Sequence, residues 1–238
     1  MREALDSGKL KTIYGHVAKR YDFQHSFFTA RSDQRGRELL VDKAVGGGDM
    51  VLDCGAGTGS TGILAAGKAG ESGKVVFFDA SEEMLALAKE KTARTHVRAR
   101  IAFRRGDMLD LPFEDDSFDV VLSTYSMCPV HDPAKGAMEL YRVTKPGGRI
   151  GVAHSTDPEA PVVKWLADRV EDLVWHIPSI SLGCRSVRVL PTLEKLGCVC
   201  IFKEHIGVPL WPFFVFVVEK PALPSSYGEG LKSRAGRG

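Results

Sequence analysis

The sequence lacks the marks of several protein classes. Its longest apolar run, PLWPFFVFVV from Pro209 to Val218, is far shorter than the roughly 20 residues that cross a bilayer. The opening MREALDSGKLKTIYG has no apolar core of a signal peptide. Cysteine is sparse, with five residues and no metal-ligand spacing. Cys54, Cys128 and Cys184 are scattered, while Cys198 and Cys200 would share one face of a strand. No metal site is expected, and the thiols read as reduced ones in a soluble, cytoplasmic protein. A net charge of +2 gives no argument for a nucleic-acid binder. The basic stretch from Lys91 to Arg105 reads as a solvated helix end and strand face.

What is present is a wound α/β pattern. The 238 residues suit one domain with appendages, and 44% hydrophobic content can fill a core. From Met50 onward short β-branched runs alternate with helical patterns, as in a parallel sheet. MVLDCG, GKVVFFDA, VRARIAFRRGD, SFDVVLSTYS and RIGVAHS are the first five expected strands. Ser81 is an expected cap for the helix EEMLALAKEKTAR, with Glu82 and Glu83 at its positive end. Asp132-Pro133 opens a helix through AKGAMELYRVTK, ended by Pro146-Gly147-Gly148. VCIFKEHIG and PFFVFVVEKP follow as an antiparallel edge pair. Residues 1–45 are expected to form an N-terminal helical cap, 46–221 the main domain and 222–238 a disordered tail.

The stretch VLDCGAGTGSTG, Val51 to Gly62, carries the chemistry. It parses as Asp53-x-Gly55-x-Gly57-x-Gly59, or as the dinucleotide pattern Gly57-x-Gly59-x-x-Gly62. Both place glycines at a strand end, where the backbone can approach a ligand closely. Asp79 closes the second strand, where a carboxylate can accept both ribose hydroxyls. Asp107 follows the third strand and could accept from an adenine amino group, although taken alone it reads as a turn residue. A pyrophosphate tolerates no nearby carboxylate, so Asp53 at the mouth of the loop favours the first parse. An NAD-dependent oxidoreductase is the alternative from another class.

Four segments carry a family resemblance: VLDCGAGTG, VVFFDASEEML, GDMLDLPFEDDSFDVVLS and ELYRVTKPGGRI, with a weaker match at IYGHVAKRYD. The chain resembles a class I S-adenosylmethionine-dependent methyltransferase, similar to the ubiquinone/menaquinone C-methyltransferase family, over roughly Thr12 to Pro221. The resemblance implies a Rossmann-like, doubly wound seven-stranded sheet with its last strand antiparallel. It also implies that Asp53, Gly55, Ala56, Gly57 and Gly59 hold the methionine part of S-adenosyl-L-methionine. Asp79 would bind the ribose hydroxyls and Asp107 and Met108 the adenine, with Ala80 and Met84 also expected at the cofactor. Ser123 would approach the sulfonium, and Tyr21 would cover the cofactor.

The acceptor side is less defined. Methyl transfer needs a positioned nucleophile, and a carbon or hydroxyl acceptor needs a base within hydrogen-bond reach. Tyr125, His131, Asp132, His154 and His176 are the candidates, with Tyr125, His131 and His154 expected as catalytic and Asp132 as the helix cap. Quinone C-methyltransferases carry an arginine–asparagine pair after the fourth strand, whereas this sequence has Cys128 and Pro129 there. The acceptor atom therefore does not follow from the resemblance. Residues 156–190 break the strand–helix rhythm and are expected to form a helical lid. Val162, Val163, Trp165, Leu166, Val170, Leu173, Val174 and Trp175 give it an apolar face. That face packs on the sheet or lines a pocket for an apolar acceptor, and Trp211 and Phe213 make peripheral membrane contact conceivable. STYSMCPV lacks the N/D/S-P-P-aromatic motif of nucleic-acid amino-methyltransferases, so nucleic acid is disfavoured. Quinol-type C- or O-methylation is the first expectation, and N-methylation of a phospholipid or other small amine the second.

Overall fold

A computed structural model describes residues 32–158, 160–165, 167, 169, 186–209 and 211–222. The proposed N-terminal cap residues 1–31, Tyr21 and His176 lie outside them, as do Cys184, most of the 166–185 stretch and the tail beyond residue 222. In chain order the elements are α1 (Ser32–Ala44), β1 (Met50–Cys54), α2 (Ser60–Ala69), β2 (Lys74–Asp79), α3 (Glu82–Ala93) and β3 (Arg100–Arg105). Then come β4 (Phe118–Thr124), α4 (Pro133–Val143), β5 (Thr144–Ser155), α5 (Leu190–Lys195), β6 (Val199–Val208) and β7 (Trp211–Glu219). The strands form one seven-stranded sheet in the order β3-β2-β1-β4-β5-β7-β6. The first five pair in parallel, and β7 pairs antiparallel with both β5 and β6.

Continuous apolar strands let both faces of the sheet be covered. Neighbouring side chains point to opposite faces. Val51, Phe77 and Val120 pack with Leu40 of α1, Ala65 of α2 and Ala88 of α3. Leu52, Phe78 and Val121 pack with Leu140 of α4 and Leu193 of α5. Cys198 and Cys200 both join this second cluster. Local signals start the helices as expected. Ser81 Oγ accepts from Met84 N–H at the head of α3, and Asp132 Oδ1 accepts from Lys135 N–H at the head of α4. Such caps contribute about 1 kcal/mol each.

One boundary is corrected. The helix before Pro146 stops at Val143, and Thr144 already pairs with Phe118 as the first residue of β5. Pro146-Gly147-Gly148 is thus an irregularity within the strand span, not a helix terminator. Gly147 takes a φ of 73°, and Lys220 bonds this turn from both sides, through Gly147 N–H to its carbonyl and its own N–H to Gly148. The pairing partner lies far along the chain, so the local pattern could not show it. Of the expected lid, residues 161–165 are helical, with Val162 and Trp165 exposed.

Candidate active site

Parallel winding reverses between β1 and β4, and ligands of such sheets sit at the carboxyl ends beside that reversal. A cavity of about 460 Å³ opens there, a size suited to a small-molecule or cofactor ligand. It spans the ends of β3, β2, β1 and β4. Gly106 to Leu109 line it after β3, Asp79 to Ser81 after β2, Gly55 to Thr58 after β1, and Thr124 to Ser126 after β4.

The loop after β1 is shaped by its glycines. Gly55 has φ 78°, and a Cβ there would stand 2.2 Å from Ser126 Cβ. Gly57 has φ 53° and opens onto space, with nothing within 4 Å of an added Cβ. Gly57 N–H donates to Asp79 Oδ2 (2.8 Å), and Ser81 N–H donates to Asp79 Oδ1 (2.9 Å). Burial pushes the Asp79 carboxyl up, while the N–H groups of Ser81, Gly57 and Ala80 favour its charged form. Asp107 Oδ1 accepts from Leu109 N–H at 2.9 Å. Two carboxylates held by backbone donors, beside a bare glycine loop, suit a nucleoside carrying hydroxyls and an amino group. Among the described residues, the arginines lining the cavity, Arg37 and Arg105, come from α1 and β3 and form no cluster for a pyrophosphate. Gly62, last glycine of the dinucleotide parse, sits in α2 against Phe77, where an added Cβ would meet the ring at 2.3 Å.

Most residues expected around the cofactor line this cavity: Gly55, Ala56, Gly57, Asp79, Ala80, Met84, Asp107 and Met108. Asp53, Gly59 and Ser123 do not. Asp53 is fully buried on the α1–α2 side of β1, and neither carboxylate oxygen has a hydrogen-bond partner among the described residues. Burial pushes its pKa up to about 7, against the opposing fields of Arg37 and the Gly62 N–H. Its direct hold on a ligand is therefore replaced by a place beneath the loop. Gly59 has φ 85° and faces Ala88 and Phe77, so it turns the chain into α2. Ser123 is buried, and its hydroxyl is bonded to Ser126 Oγ at 2.7 Å. The residue that reaches the cavity is Ser126, whose Oγ also donates to the Cys54 carbonyl.

Among the expected catalytic groups, His131 and Tyr125 line the cavity together with Pro129 and Val130. Tyr125 is 3% exposed and has φ 57°, a left-handed backbone uncommon for a ring-bearing residue. Its hydroxyl donates to the Asp33 carbonyl, and burial pushes its pKa up. The phenol is thus held as a donor to α1. His154 is corrected: it lies outside the cavity, 2% exposed among Phe214 and Phe216. Its Nδ1 meets the Ser155 carbonyl, and burial lowers its pKa. A strand-end histidine can face either side of the sheet, and this one faces the α4–α5 side. Asp132 is the α4 cap. Cys128 is buried, with Sγ accepting from Ser155 N–H.

The sequence reading missed Arg37, Thr58, Ser81, Thr124 and Ser126. Ser81 was visible only as a cap. Thr58 sits inside the quoted glycine motif. Arg37 had no local signal, because it reaches the cavity from α1.

The model of the ubiE/COQ5 methyltransferase family matches residues 2–169. The demethylmenaquinone methyltransferase of Lactobacillus johnsonii is 32% identical over 153 residues, covering 64% of this chain and 63% of that protein. The enzyme of the same name from Clavibacter sepedonicus is 35% identical over 159 residues, covering 66% of this chain and 62% of that one. The chain thus spans less than two thirds of the length of these relatives. Among solved structures, the cyclase SpnF superposes with a TM-score of 0.64 at 19% identity, covering 79% of this chain and 81% of that one. A SAM-dependent methyltransferase from Aquifex aeolicus gives 0.59 at 22% identity, covering 79% and 92%. At such identities these structures establish the fold alone. Among the described residues no helix is long and apolar enough to cross a membrane, and no group of side chains could hold a metal ion.

Proposed function

The chain belongs to the ubiE/COQ5 methyltransferase family, and from that premise we propose that it transfers a methyl group from S-adenosylmethionine to a small, apolar, quinol-type acceptor. The observation that carries the reading is the cavity spanning four strand ends, with Asp79 and Asp107 on one side of the glycine loop and His131 on the other. When bound, the sulfonium supplies an electrophilic methyl group. The chain's own residues bind, orient and deprotonate. Asp79 holds the ribose hydroxyls through carboxylate lone pairs not used by Gly57 and Ser81. Asp107 takes the adenine amino group, and Met108 packs beside it. The loop from Gly55 to Thr58 carries the amino-acid portion.

On the other side, His131 removes the proton from the acceptor carbon or hydroxyl, a step worth roughly 100-fold in rate. Pro129 and Val130 give the acceptor an apolar wall that keeps water from the reacting atoms. The arginine–asparagine pair of the quinone enzymes is replaced by Cys128 and Pro129, which leaves the base to His131. Cys54, Cys128, Cys198 and Cys200 stand as thiols outside any disulfide, which suits a cytoplasmic location.

The test is incubation of the full chain with methyl-labelled S-adenosylmethionine and reduced, prenylated demethylnaphthoquinone. A labelled product heavier by one methylene unit is expected. Label transfer to amine acceptors but to no quinol would overturn the acceptor assignment.

A further inference from the structure

Arg37 is the side chain at the cavity whose chemistry the preceding reading leaves unused. It rises from α1, lines the cavity and is 7% exposed. Its Nη1 donates to Thr61 Oγ1 (2.8 Å) and Thr124 Oγ1 (3.0 Å). These two hydroxyls also bond each other at 2.7 Å, so the guanidinium is fixed between the start of α2 and the end of β4. Its face lies 5.1 Å from the centroid of the Tyr125 ring. All of these partners are neutral.

Charge compensation for Arg37 is incomplete. Among the described residues it makes no ion pair within 4.0 Å. Asp53 feels its field, yet burial holds that carboxyl at a pKa of about 7. A buried cation left without a full counter-charge is strongly unfavourable. A guanidinium also has more donors than Nη1, and its planar fork matches a carboxylate.

The cofactor has one anionic group, the α-carboxylate of its methionine moiety. With the nucleoside at Asp79 and Asp107, on the β2–β3 side of the loop, the amino-acid end extends toward β4, where Arg37 stands. The other cation lining the cavity, Arg105, is on the β3 side and already pairs with Glu82 at 2.9 Å. We infer that Arg37 is a binding residue for the methionine carboxylate, fixing the amino-acid end so that the methyl group faces the acceptor side. This inference rests on the cofactor reading above. It gives α1 a direct role: the helix delivers a charge that the glycine loop lacks.

The test is calorimetric titration of the full chain with S-adenosylmethionine, its decarboxylated analogue and adenosine. The decarboxylated analogue should bind the unmodified protein at least about tenfold more weakly than S-adenosylmethionine. Arg37→Gln should bring S-adenosylmethionine down to the level of the analogue, while analogue and adenosine affinities stay within about twofold. Arg37→Lys, which keeps the charge and loses the fork, should fall between. Equal affinity of the unmodified protein for the two cofactors would overturn the inference, and that comparison needs no variant to fold. Equal losses for both ligands in Arg37→Gln would also overturn it, making Arg37 a counter-ion of Asp53 only. In either case adenosine binding by the unmodified protein would leave the cofactor reading standing. Failure of that protein to bind any of the three would overturn both.

Discussion

The two sides of the cavity are built differently. On the β2–β3 side, each carboxylate at the cavity accepts from its own strand-end turn, and Asp79 also from the neighbouring glycine loop. Asp79 accepts from Ser81 and Asp107 from Leu109, each two residues away. On the β4 side, the groups meet across the chain. Arg37 reaches Thr124 over 87 residues, Tyr125 reaches Asp33 over 92, and Ser126 reaches Cys54 over 72. The first side is a set of local turns presented by a common fold. The second is a tertiary assembly that exists only once α1, β1 and β4 have packed. It follows that the first side depends on short stretches of sequence, whereas the second depends on the packing of the whole fold.

Four substitutions sharpen the contrast, in falling order of effect. Asp53 lies beneath the loop between the two sides, and burial raises its folded pKa from 3.8 to about 7. The unfolded chain ionises first, so Asp53 costs stability increasingly as pH rises from about 4 to about 7, by up to roughly 4 kcal/mol. Asp53→Asn should therefore gain on the native protein across this window in urea unfolding of the ligand-free chain. A stability difference independent of pH would show that Asp53 is ionised in the fold. Asp79→Ala should lower cofactor affinity about 100-fold, through loss of a charge-assisted contact. Unchanged binding in calorimetry would remove Asp79 from the site. His131→Ala should reduce kcat by roughly 100-fold with cofactor affinity within about twofold, and an unaltered pH–rate profile would exclude it as the base. Asp132→Ala should cost only about 1 kcal/mol in thermal or urea unfolding, as the loss of an N-cap. A collapse in kcat with stability intact would instead place Asp132 in the chemistry.

The same contrast explains what could be read from the sequence. The sheet, the antiparallel final pair and the caps Ser81 and Asp132 follow from periodicity and local chemistry. Asp79, Asp107 and Gly57 line the cavity, and a strand end announces each of them. Asp53 and Ser123 were misplaced by the same rule, since a residue at a strand end can face the helices beneath the loop instead of the cavity. His154 failed for that reason too, turned toward Phe214 and Phe216. Arg37 and Ser126 carried no local mark. Their positions depend on contacts whose partners are distant in sequence, as does the start of β5 at Thr144, paired with Phe118.

The cofactor is the claim on which the rest depends, and the glycine loop offered two parses for it. Titration of the full chain with S-adenosylhomocysteine and, separately, with NAD tests it most directly. Saturable binding of S-adenosylhomocysteine that Asp79→Ala weakens about 100-fold, with no binding of NAD, is the expected result. Binding of NAD without binding of S-adenosylhomocysteine would contradict it and return the loop to the parse that ends at Gly62.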